Sequence, residues 1–268
     1  MQDKNLMEEF FIVSHISTYL TSVTKKDEFQ TICSCFQEKN YDVIGYKEDS
    51  CIIGYLCKKD FIDDDNEIED KVKKFAVDDI IAVNTPLIDA LKLMQNKERL
   101  FLINKSKIES IITRADLQKP PIRMLFFGLI TLFESEMANF IRNHYPNNRW
   151  VSFLSDGRIS KTQEIYQERV EKNTEIDLLD CTQFADKSMI MLQNENLYIM
   201  GENTSKTKAK RWMKNVEELR NDLAHAQSLH TWFEEKNVIS LITEVEEVLQ
   251  RILGFGEKTS RHLPASNL

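Results

Sequence analysis

In the first 120 positions, segments with strand-like apolar runs alternate with segments in which apolar residues recur at helical spacing. Residues 41–61 and 97–117 each read as an apolar strand, a polar turn and a second apolar strand. Before each block, apolar residues recur three and four positions apart, which predicts amphipathic helices at 27–39 and 86–97. Short strand-like segments, TSVT and IIAVN, precede these helices. The pattern therefore predicts the order strand, helix, strand, strand, followed by a further helix, and predicts it twice.

The two blocks are an internal repeat. GYLCKKD in the first superposes on SIITRAD in the second with a shift of 56 residues. The shift places Gly54 on Ser110, Cys57 on Thr113, and Asp60 on Asp116. A repeat of this length indicates that one supersecondary unit occurs twice, and the mixture of strands and helices indicates an α+β region.

TPLIDALKLM and SIITRADL within these repeats resemble the CBS domain, and roughly residues 10–120 resemble a tandem CBS pair, or Bateman module. In that family, a turn of the form G-h-x-(S/T)-x-x-D holds adenosine nucleotides or related ligands. Its hydroxyl meets phosphate or ribose, and its carboxylate accepts hydrogen bonds from the ribose diol. The resemblance therefore implies an adenine nucleotide such as AMP, ADP or ATP as a regulator.

The family's ligand turn carries over onto this sequence only in part. Ser110 replaces the glycine of the second repeat, and Cys57 replaces the hydroxyl residue of the first, so the second repeat is the better candidate site. Alternatively, Thr113 and Asp116 only cap the helix that follows. Arg114 adds a possible phosphate contact. The residues implied in ligand binding are Thr113, Arg114, Asp116, Gly54 and Asp60.

From residue 119 onward the pattern is helical throughout. KPP breaks the chain, and leucines and phenylalanines at helical spacing predict a long helix to about His144. Further helices are predicted at 160–173, 177–193 in two pieces, 203–227 and 235–253. We therefore expect three parts: a ligand-sensing module at 1–119, an all-α bundle of about five helices at 120–254, and a flexible tail at 255–268. The acidic stretch 63–70 reads as a solvated linker between the repeats.

Composition excludes several classes of function. A net charge of −8 argues against a general nucleic-acid coat protein, while leaving room for a local basic groove. The five cysteines form no C-x-x-C motif and no cluster with histidines, so we expect reduced thiols in a cytoplasmic protein and no zinc site. The longest apolar run, 124–133, is about half the length of a membrane span and predicts a buried helix rather than membrane association.

The candidate catalytic residues lie in LRNDLAHAQ, residues 219–227. Asn221 and His225 are four apart and share a helix face, with Arg220 beside them. The bare Arg–His spacing is expected by chance in a chain of this composition, but its setting is distinctive. The same predicted helix opens with the densest basic stretch of an acidic chain, and we expect these side chains to bind RNA: Lys206, Lys208, Lys210, Arg211 and Lys214.

LRNDLAHA resembles the R-x4–6-H signature of the HEPN superfamily, in which Asn often follows the Arg. The resemblance covers roughly residues 120–254. It implies a helical bundle that forms a homodimer, with two motifs facing each other across the two-fold axis. Many members are metal-independent endoribonucleases, including toxins and CRISPR-associated effectors. Membership would therefore imply an RNA substrate and, for a toxin, a protein antitoxin as partner.

The residues of the motif suit RNA cleavage without a metal or another catalytic cofactor, with a dimer supplying the second histidine that separate acid and base roles require. RNA carries its own nucleophile, the 2′-hydroxyl. His225 is the candidate to remove that proton or to protonate the leaving 5′-oxygen, since imidazole commonly serves as a general base or acid. Arg220 can bind the charge that develops on the phosphorane, and Asn221 can orient either group. The expected products are a 2′,3′-cyclic phosphate and a 5′-hydroxyl.

The sequence thus predicts a ligand-regulated endoribonuclease that acts as a homodimer, of the toxin or phage-defence type. The alternative is a non-catalytic nucleotide sensor or adaptor that uses the bundle for dimerisation or for binding a partner. In that case Arg220 would pair with Glu217 or with a neighbouring helix. His225 would then be an ordinary polar residue, favoured near a helix end by the helix dipole.

Overall fold

The structure is a computed structural model that describes residues 9–38, 40–61, 68–172, 175–201 and 204–260. The chain divides into two units, of which the first ends at Ile122 and the second begins at Arg123. The predicted sequence boundary lies three residues earlier, between 119 and 120. The first unit is α+β, and the described part of the second unit contains helices only.

Strands of the first unit form two four-stranded sheets within the described residues. The strands are β1 (Thr18–Tyr19), β2 (Ser22–Val23), β3 (Val43–Glu48), β4 (Cys51–Cys57), β5 (Lys73–Lys74), β6 (Ile80–Ala82), β7 (Arg99–Asn104) and β8 (Lys107–Thr113). The sheet orders are β2-β3-β4-β5 and β1-β8-β7-β6. Two helices accompany them, α1 (Phe29–Glu38) and α2 (Leu87–Met94).

The two sheets repeat at the spacing seen in the sequence. β3 and β7 start 56 residues apart, as do β4 and β8. Even the irregularities repeat: the β3–β4 ladder shifts register between Tyr46 and Lys47, and the β7–β8 ladder shifts between Leu102 and Ile103. Because a bulge depends on the local geometry of its hairpin, its recurrence indicates that the two repeats share one backbone design.

Each sheet takes one edge strand from the segment that precedes the other repeat. β1 pairs antiparallel with β8 of the second repeat, and β5 pairs antiparallel with β4 of the first. β2 and β6 then run parallel to β3 and β7 within their own repeats. The segments before the two repeats are therefore exchanged, and each sheet contains residues from both halves of the unit.

Apolar side chains from both sheets meet in a shared core. It contains Val43 and Cys57 from the first repeat and Phe101 and Ile111 from the second. A separate cluster packs α1 against the first sheet through Ile32 and other buried side chains. Val43, Cys57 and Ile111 of this core also line the candidate ligand site between the repeats.

After each hairpin the chain forms a 3-10 turn rather than an α-helix. The turns are Lys58–Phe61 in the first repeat and Arg114–Gln118 in the second. The helix expected after the first block falls partly on residues 62–67, which lie outside the described residues. Most of the acidic linker expected at 63–70 also lies outside them, and its last part belongs to the 3-10 turn Ile68–Lys71.

The second unit is helical, as the spacing of its apolar residues predicts. Its helices are α3 (Pro120–His144), which starts just before the unit boundary, α4 (Asp156–Glu171), α5 (Phe184–Met191), α6 (Lys206–Ala224), α7 (His230–Glu234) and α8 (Val238–Ser260). Fully buried side chains such as Phe133 and Met137 on α3 and Val216 on α6 form its core. Among the described helices, α3 has the length and apolar composition of a membrane span, and half of that stretch is buried within the structure.

Two helix ends differ from the sequence prediction for identifiable reasons. α8 continues to Ser260, six residues into the predicted tail, although glycine at position 254 lowers helix propensity. The ring of Phe255 lies 5.7 Å from those of Phe140 and Tyr198, and this packing holds the helix beyond the glycine. α6 ends at Ala224 instead of 227, because Ala226 adopts a positive φ of 53°.

Candidate functional site

A cavity of about 700 Å³ lies between the two repeats of the first unit, a volume in the range of small-molecule sites. Its walls come from β1, from both hairpins and from both 3-10 turns that follow them. The lining residues are Thr18, Tyr19, Leu20, Thr21, Asn40, Tyr41, Asp42, Val43, Cys57, Lys58, Lys59, Glu98, Arg99, Ile111, Thr113, Arg114, Ala115 and Asp116. Of the residues implied by the CBS resemblance, the cavity includes Thr113, Arg114 and Asp116.

Asp116 lines this cavity and is nearly buried, with 7% of its surface exposed. Its Oδ2 accepts hydrogen bonds from the backbone N–H and the hydroxyl of Thr113, at 2.7 and 3.0 Å. Its Oδ1 accepts from the hydroxyl of Thr18 at 3.2 Å and pairs with Lys119 Nζ at 2.7 Å. Both oxygens are occupied, and the Thr113–Asp116 contact is the capping arrangement that the sequence left open. A ribose hydroxyl would reach this carboxylate by replacing Thr18 or Lys119.

In the first repeat, the equivalent residues Gly54 and Asp60 have different surroundings. A side chain at Gly54 would place its Cβ 2.6 Å from the carbonyl oxygen of Lys73, so glycine is required there by the close approach of β5. Asp60 Oδ2 lies 2.7 Å from Lys73 Nζ, and its hydrogen bond raises the pKa of that ammonium group. Neither Gly54 nor Asp60 lines the cavity, and the first repeat contributes Cys57, Lys58 and Lys59 instead. Their ligand contacts therefore stay predictions, and in this structure Gly54 accommodates β5 while Asp60 pairs with Lys73.

Arg99 lines the cavity and was not identified from the sequence. Its side chain is 22% exposed, with Nη2 2.9 Å from Glu98 Oε2 and Nη1 3.7 Å from the Cys57 sulfur. It directly faces Thr113 across the β7–β8 ladder. In the sequence it is one charged residue at the start of an apolar strand. Only its position opposite Thr113 marks Arg99 as a candidate, and that position is known only once the pairing of the two strands is known.

The Arg–His motif lies at the surface of the second unit, at the end of α6. Arg220 Nη1 donates to Asn221 Oδ1 at 3.2 Å, and its Nη2 lies 3.6 Å from Glu134 Oε2 on α3. The Arg220 side chain remains 39% exposed, and Asn221 and His225 are exposed. His225 follows the last helical residue and donates its backbone N–H to the Asn221 carbonyl. All three side chains are accessible to a ligand from solvent.

Two further charged residues adjoin the motif, Glu134 and Lys187, and neither was singled out from the sequence. Lys187 Nζ donates to Glu134 Oε1 at 3.1 Å and to the Thr182 carbonyl at 2.9 Å, and its side chain is 7% exposed. Glu134 therefore lies between a buried lysine and Arg220. A buried ammonium group is stable only when it is paired. The Glu134 carboxylate therefore stabilises the fold as well as contacting the motif.

The backbone around His225 is held by two side chains from other helices, Arg123 and Trp232. Arg123 on α3 donates to the backbone carbonyls of Asp222, Leu223 and Gln227, and the first two of these also accept the backbone N–H groups of Gln227 and Ala226. The indole N–H of buried Trp232 donates to Asp222 Oδ2 at 2.7 Å. A guanidinium at a helix C-terminus also favourably opposes the helix dipole. The loop that carries His225 is thus held in place by groups from two other helices.

All five basic residues assigned to RNA binding are exposed on the first half of α6: Lys206, Lys208, Lys210, Arg211 and Lys214. They do not run uninterrupted to the motif, since Glu217 and Glu218 lie between. Lys214 and Lys236 both pair with Glu218, at 3.8 and 3.2 Å. At a helical rise of 1.5 Å per residue, Lys210 is about 15 Å from Arg220 along the axis. The basic surface is therefore adjacent to the motif rather than part of it.

Metal-binding clusters of three or more His, Cys, Asp or Glu side chains are not found in the described part of the chain. The five cysteines are free thiols, of which Cys57 and Cys181 are buried. The described chemistry therefore consists of two groups of residues, each within its own unit: the cavity residues around Arg99 and Asp116, and the surface motif around Arg220.

No protein-family model and no curated protein matches the chain. Three solved structures illustrate its similarities. An uncharacterized conserved protein from Pyrococcus horikoshii is 21% identical, with 41% of this chain and 90% of that chain covered and a TM-score of 0.36. CBSX2 from Arabidopsis thaliana, solved in complex with AMP, is 16% identical (42% and 98% covered, TM-score 0.37). The CBS domain of a bacterial CNNM/CorC family Mg2+ transporter, solved in complex with ATP, is 14% identical (43% and 89% covered, TM-score 0.35). CBSX2 is described as a CBS-pair protein, and each of the three matches covers about two fifths of this chain.

Proposed function

We propose that the first unit is a regulatory module that binds an adenine nucleotide in the cavity between its repeats. The observation that carries this proposal is the cavity itself, which combines a suitable volume with a guanidinium, a threonine hydroxyl and a buried carboxylate. Arginine and hydroxyl groups are the usual partners of phosphate, and a carboxylate accepts hydrogen bonds from a ribose diol. Solved CBS-domain structures with AMP and with ATP guide the choice of ligands to test.

The direct test is calorimetric titration of the full chain with AMP, ADP and ATP. Arg114 is exposed at the cavity and belongs to no described ion pair, so Arg114→Gln removes a phosphate contact without disturbing the core. We expect at least tenfold weaker binding of the preferred nucleotide. Lys26→Gln removes an exposed charge of the same unit outside the cavity, and it should bind as wild type does. Failure of all three nucleotides to bind at millimolar concentration would exclude the proposal.

For the second unit, the proposed activity is metal-independent cleavage of RNA by Arg220, Asn221 and His225. The supporting observation is that Arg220 and Asn221 form a hydrogen-bonded pair at the surface, beside an exposed histidine held in a fixed loop. The 2′-oxygen would attack phosphorus as a histidine removes its proton, and the 5′-oxygen would leave as it receives a proton. Because one histidine cannot begin as both acid and base, two chains of a homodimer would supply the pair.

The rival proposal is a non-catalytic adaptor that uses the helical unit to dimerise or to hold a partner. The observation that favours it is the Arg220–Glu134 ion pair, which gives Arg220 a structural partner on a neighbouring helix. Under this reading the pair links α6 to α3, and exposed His225 has no chemical task. The full-length protein would then report nucleotide levels through a bound partner instead of through RNA cleavage.

One experiment separates these two proposals. Wild type and His225→Ala are incubated with mixed single-stranded RNA in EDTA, with and without AMP, ADP or ATP. Cleavage that is lost in the variant, with an unchanged melting temperature, would support the nuclease, and a nucleotide effect would link it to the first unit. Absence of cleavage under every condition would favour the adaptor. His230→Ala is the matched control, since it removes another exposed histidine five residues away.

Taken as a whole, the proposal is a cytoplasmic homodimer with a CBS-like ligand-sensing module at 1–119 and a HEPN-like bundle at 120–254. RNA is the proposed substrate, the nucleotide is the effector, and a protein antitoxin is the proposed partner in a toxin or phage-defence role. A nucleotide can regulate cleavage only if it binds one arrangement of the homodimer more tightly than another.

A further inference from the structure

We propose that the cavity takes one phosphate-bearing ligand per chain, with its phosphate held by Arg99 and Thr113 and its uncharged part against Val43 and Cys57. Two related repeats would otherwise suggest two equivalent sites. This inference rests on the proposed nucleotide-binding function and specifies the number, the orientation and a recognition residue of the bound ligand.

The register of the two hairpins determines which side chains face each other at the cavity. Arg99 and Thr113 are direct partners across the β7–β8 ladder. Val43 and Cys57, each 56 residues earlier, are direct partners across the β3–β4 ladder. Side chains directly opposite on antiparallel strands lie about 5 Å apart and point to the same face. Each repeat therefore presents one cross-strand pair to the cavity, and all four residues line it.

These two pairs differ in chemistry. Part of their surroundings is matched at the 56-residue spacing, since each repeat contributes one acid beside its pair, Asp42 or Glu98, and one base after its second strand, Lys58 or Arg114. Two further charged residues at the cavity have no charged counterpart there: Lys59 corresponds to Ala115, and Asp116 corresponds to Asp60, which does not line the cavity. The facing pairs are valine and a buried cysteine in the first repeat, and arginine and threonine in the second. The facing pairs thus form one apolar wall and one wall suited to an anion.

Arg99 has hydrogen-bonding capacity left for such an anion. A guanidinium carries five N–H donors, and the described partners of this one are Glu98 and, at 3.7 Å, the sulfur of Cys57. Glu98 is 79% exposed, and exposed ion pairs are weak. A phosphate could therefore displace or supplement Glu98, with the Thr113 hydroxyl directly opposite as a second contact. The apolar wall would receive the base of a nucleotide.

Calorimetry of the full chain with AMP and with adenosine tests the assignment. Wild type should bind one AMP per chain. Arg99→Gln should weaken AMP binding at least tenfold while adenosine affinity changes less than twofold, because adenosine lacks the phosphate. Arg99→Lys, which keeps the charge but not the planar donor fork, should fall between. Lys26→Gln controls for the loss of one positive charge. The AMP-to-adenosine ratio remains informative if a variant loses some folded protein.

A second readout tests the orientation. Alkylation of Cys57 by N-ethylmaleimide, followed by peptide mass spectrometry, should slow when AMP is bound, with exposed Cys51 as an unaffected internal reference. Two AMP molecules per chain, an Arg99→Gln variant with unchanged AMP affinity, or equal Cys57 labelling with and without AMP would overturn this inference and leave nucleotide binding intact. Failure of AMP, ADP, ATP and adenosine alike to bind wild type would overturn the proposed function itself.

Discussion

Glu134 on α3 accepts a hydrogen bond from Lys187 at 3.1 Å with one carboxylate oxygen and lies 3.6 Å from Arg220 with the other. Lys187 is almost fully buried, whereas Arg220 is two-fifths exposed. One carboxylate therefore neutralises a buried cation and orients a surface one. Any substitution at Glu134 will change both stability and the Arg–His motif, and the two effects need to be measured apart.

Glu134→Gln should lower the free energy of unfolding by about 3 kcal/mol, because it leaves the Lys187 ammonium group buried without a counter-charge. Urea denaturation measures the loss. The double variant Glu134→Gln with Lys187→Met should recover most of it, since the charge is then gone from both partners. Glu164→Gln, at an exposed position on α4, is the control. Full stability of the Glu134→Gln single variant would show that Lys187 does not depend on this carboxylate.

Gly54→Ala should destabilise the first unit by roughly 1–3 kcal/mol, because the new Cβ would lie 2.6 Å from a carbonyl oxygen and 2.7 Å from Val72 Cγ1. The matched variant is Gly157→Ala on α4, where nothing lies within 4 Å, and it should stabilise by about 0.5–1 kcal/mol. Thermal unfolding distinguishes them. AMP affinity of the folded Gly54→Ala protein should match wild type, because Gly54 does not line the cavity. A selective loss of AMP binding would instead return Gly54 to the ligand site.

If α6 binds RNA, replacing Lys206, Lys210 and Lys214 by glutamine should weaken binding and flatten its dependence on salt. Each phosphate contact to single-stranded RNA contributes about 0.7 to the slope of log K against log salt, so the triple variant should lose about 2. Fluorescence anisotropy at several salt concentrations gives this slope. The control replaces three exposed lysines elsewhere, Lys26, Lys107 and Lys161. Equal slopes for both triple variants would exclude a specific basic surface on α6.

Tyr145 should make stability fall at alkaline pH. Burial and then its hydrogen bond to Glu195 raise the pKa of this phenol from 10.0 to about 12. Because the folded-state pKa is the higher one, the contribution is complete below pH 10. It disappears as pH rises towards 12, where the unfolded chain releases the proton first. The shift corresponds to a change on the order of 2 kcal/mol. Urea denaturation at pH 9 to 12 should show a shallower decline for Tyr145→Phe than for wild type. Parallel curves would contradict the prediction.

Much of the first unit is encoded in local pattern. Alternating apolar runs and the 56-residue repeat are enough to predict the hairpins, because strand periodicity and turn residues act over short distances. The exchanged strands β1 and β5 are two residues long, which is too short for any periodicity to reveal their partners. Which sheet they join is decided by tertiary packing.

The candidate sites also combine residues that local sequence identifies with residues that only tertiary packing brings together. Asp60 and Asp116 stand at equivalent positions of the two repeats, yet one pairs with a lysine of the neighbouring strand and the other lines the cavity. Arg99 could be recognised only once its partner across the ladder was known. The Arg–His motif was visible because its residues are neighbours in sequence. Glu134, Lys187 and Arg123 were not, because they reach the motif from other helices.

The exchange of edge strands between the two repeats has a consequence for symmetry. A single repeat taken alone would lack the edge strand that the other half supplies here, whereas two identical copies could exchange that strand symmetrically. Identical copies would necessarily carry the same side chains at matching positions. Because both repeats lie in one chain, arginine stands opposite threonine in one half and valine opposite cysteine in the other.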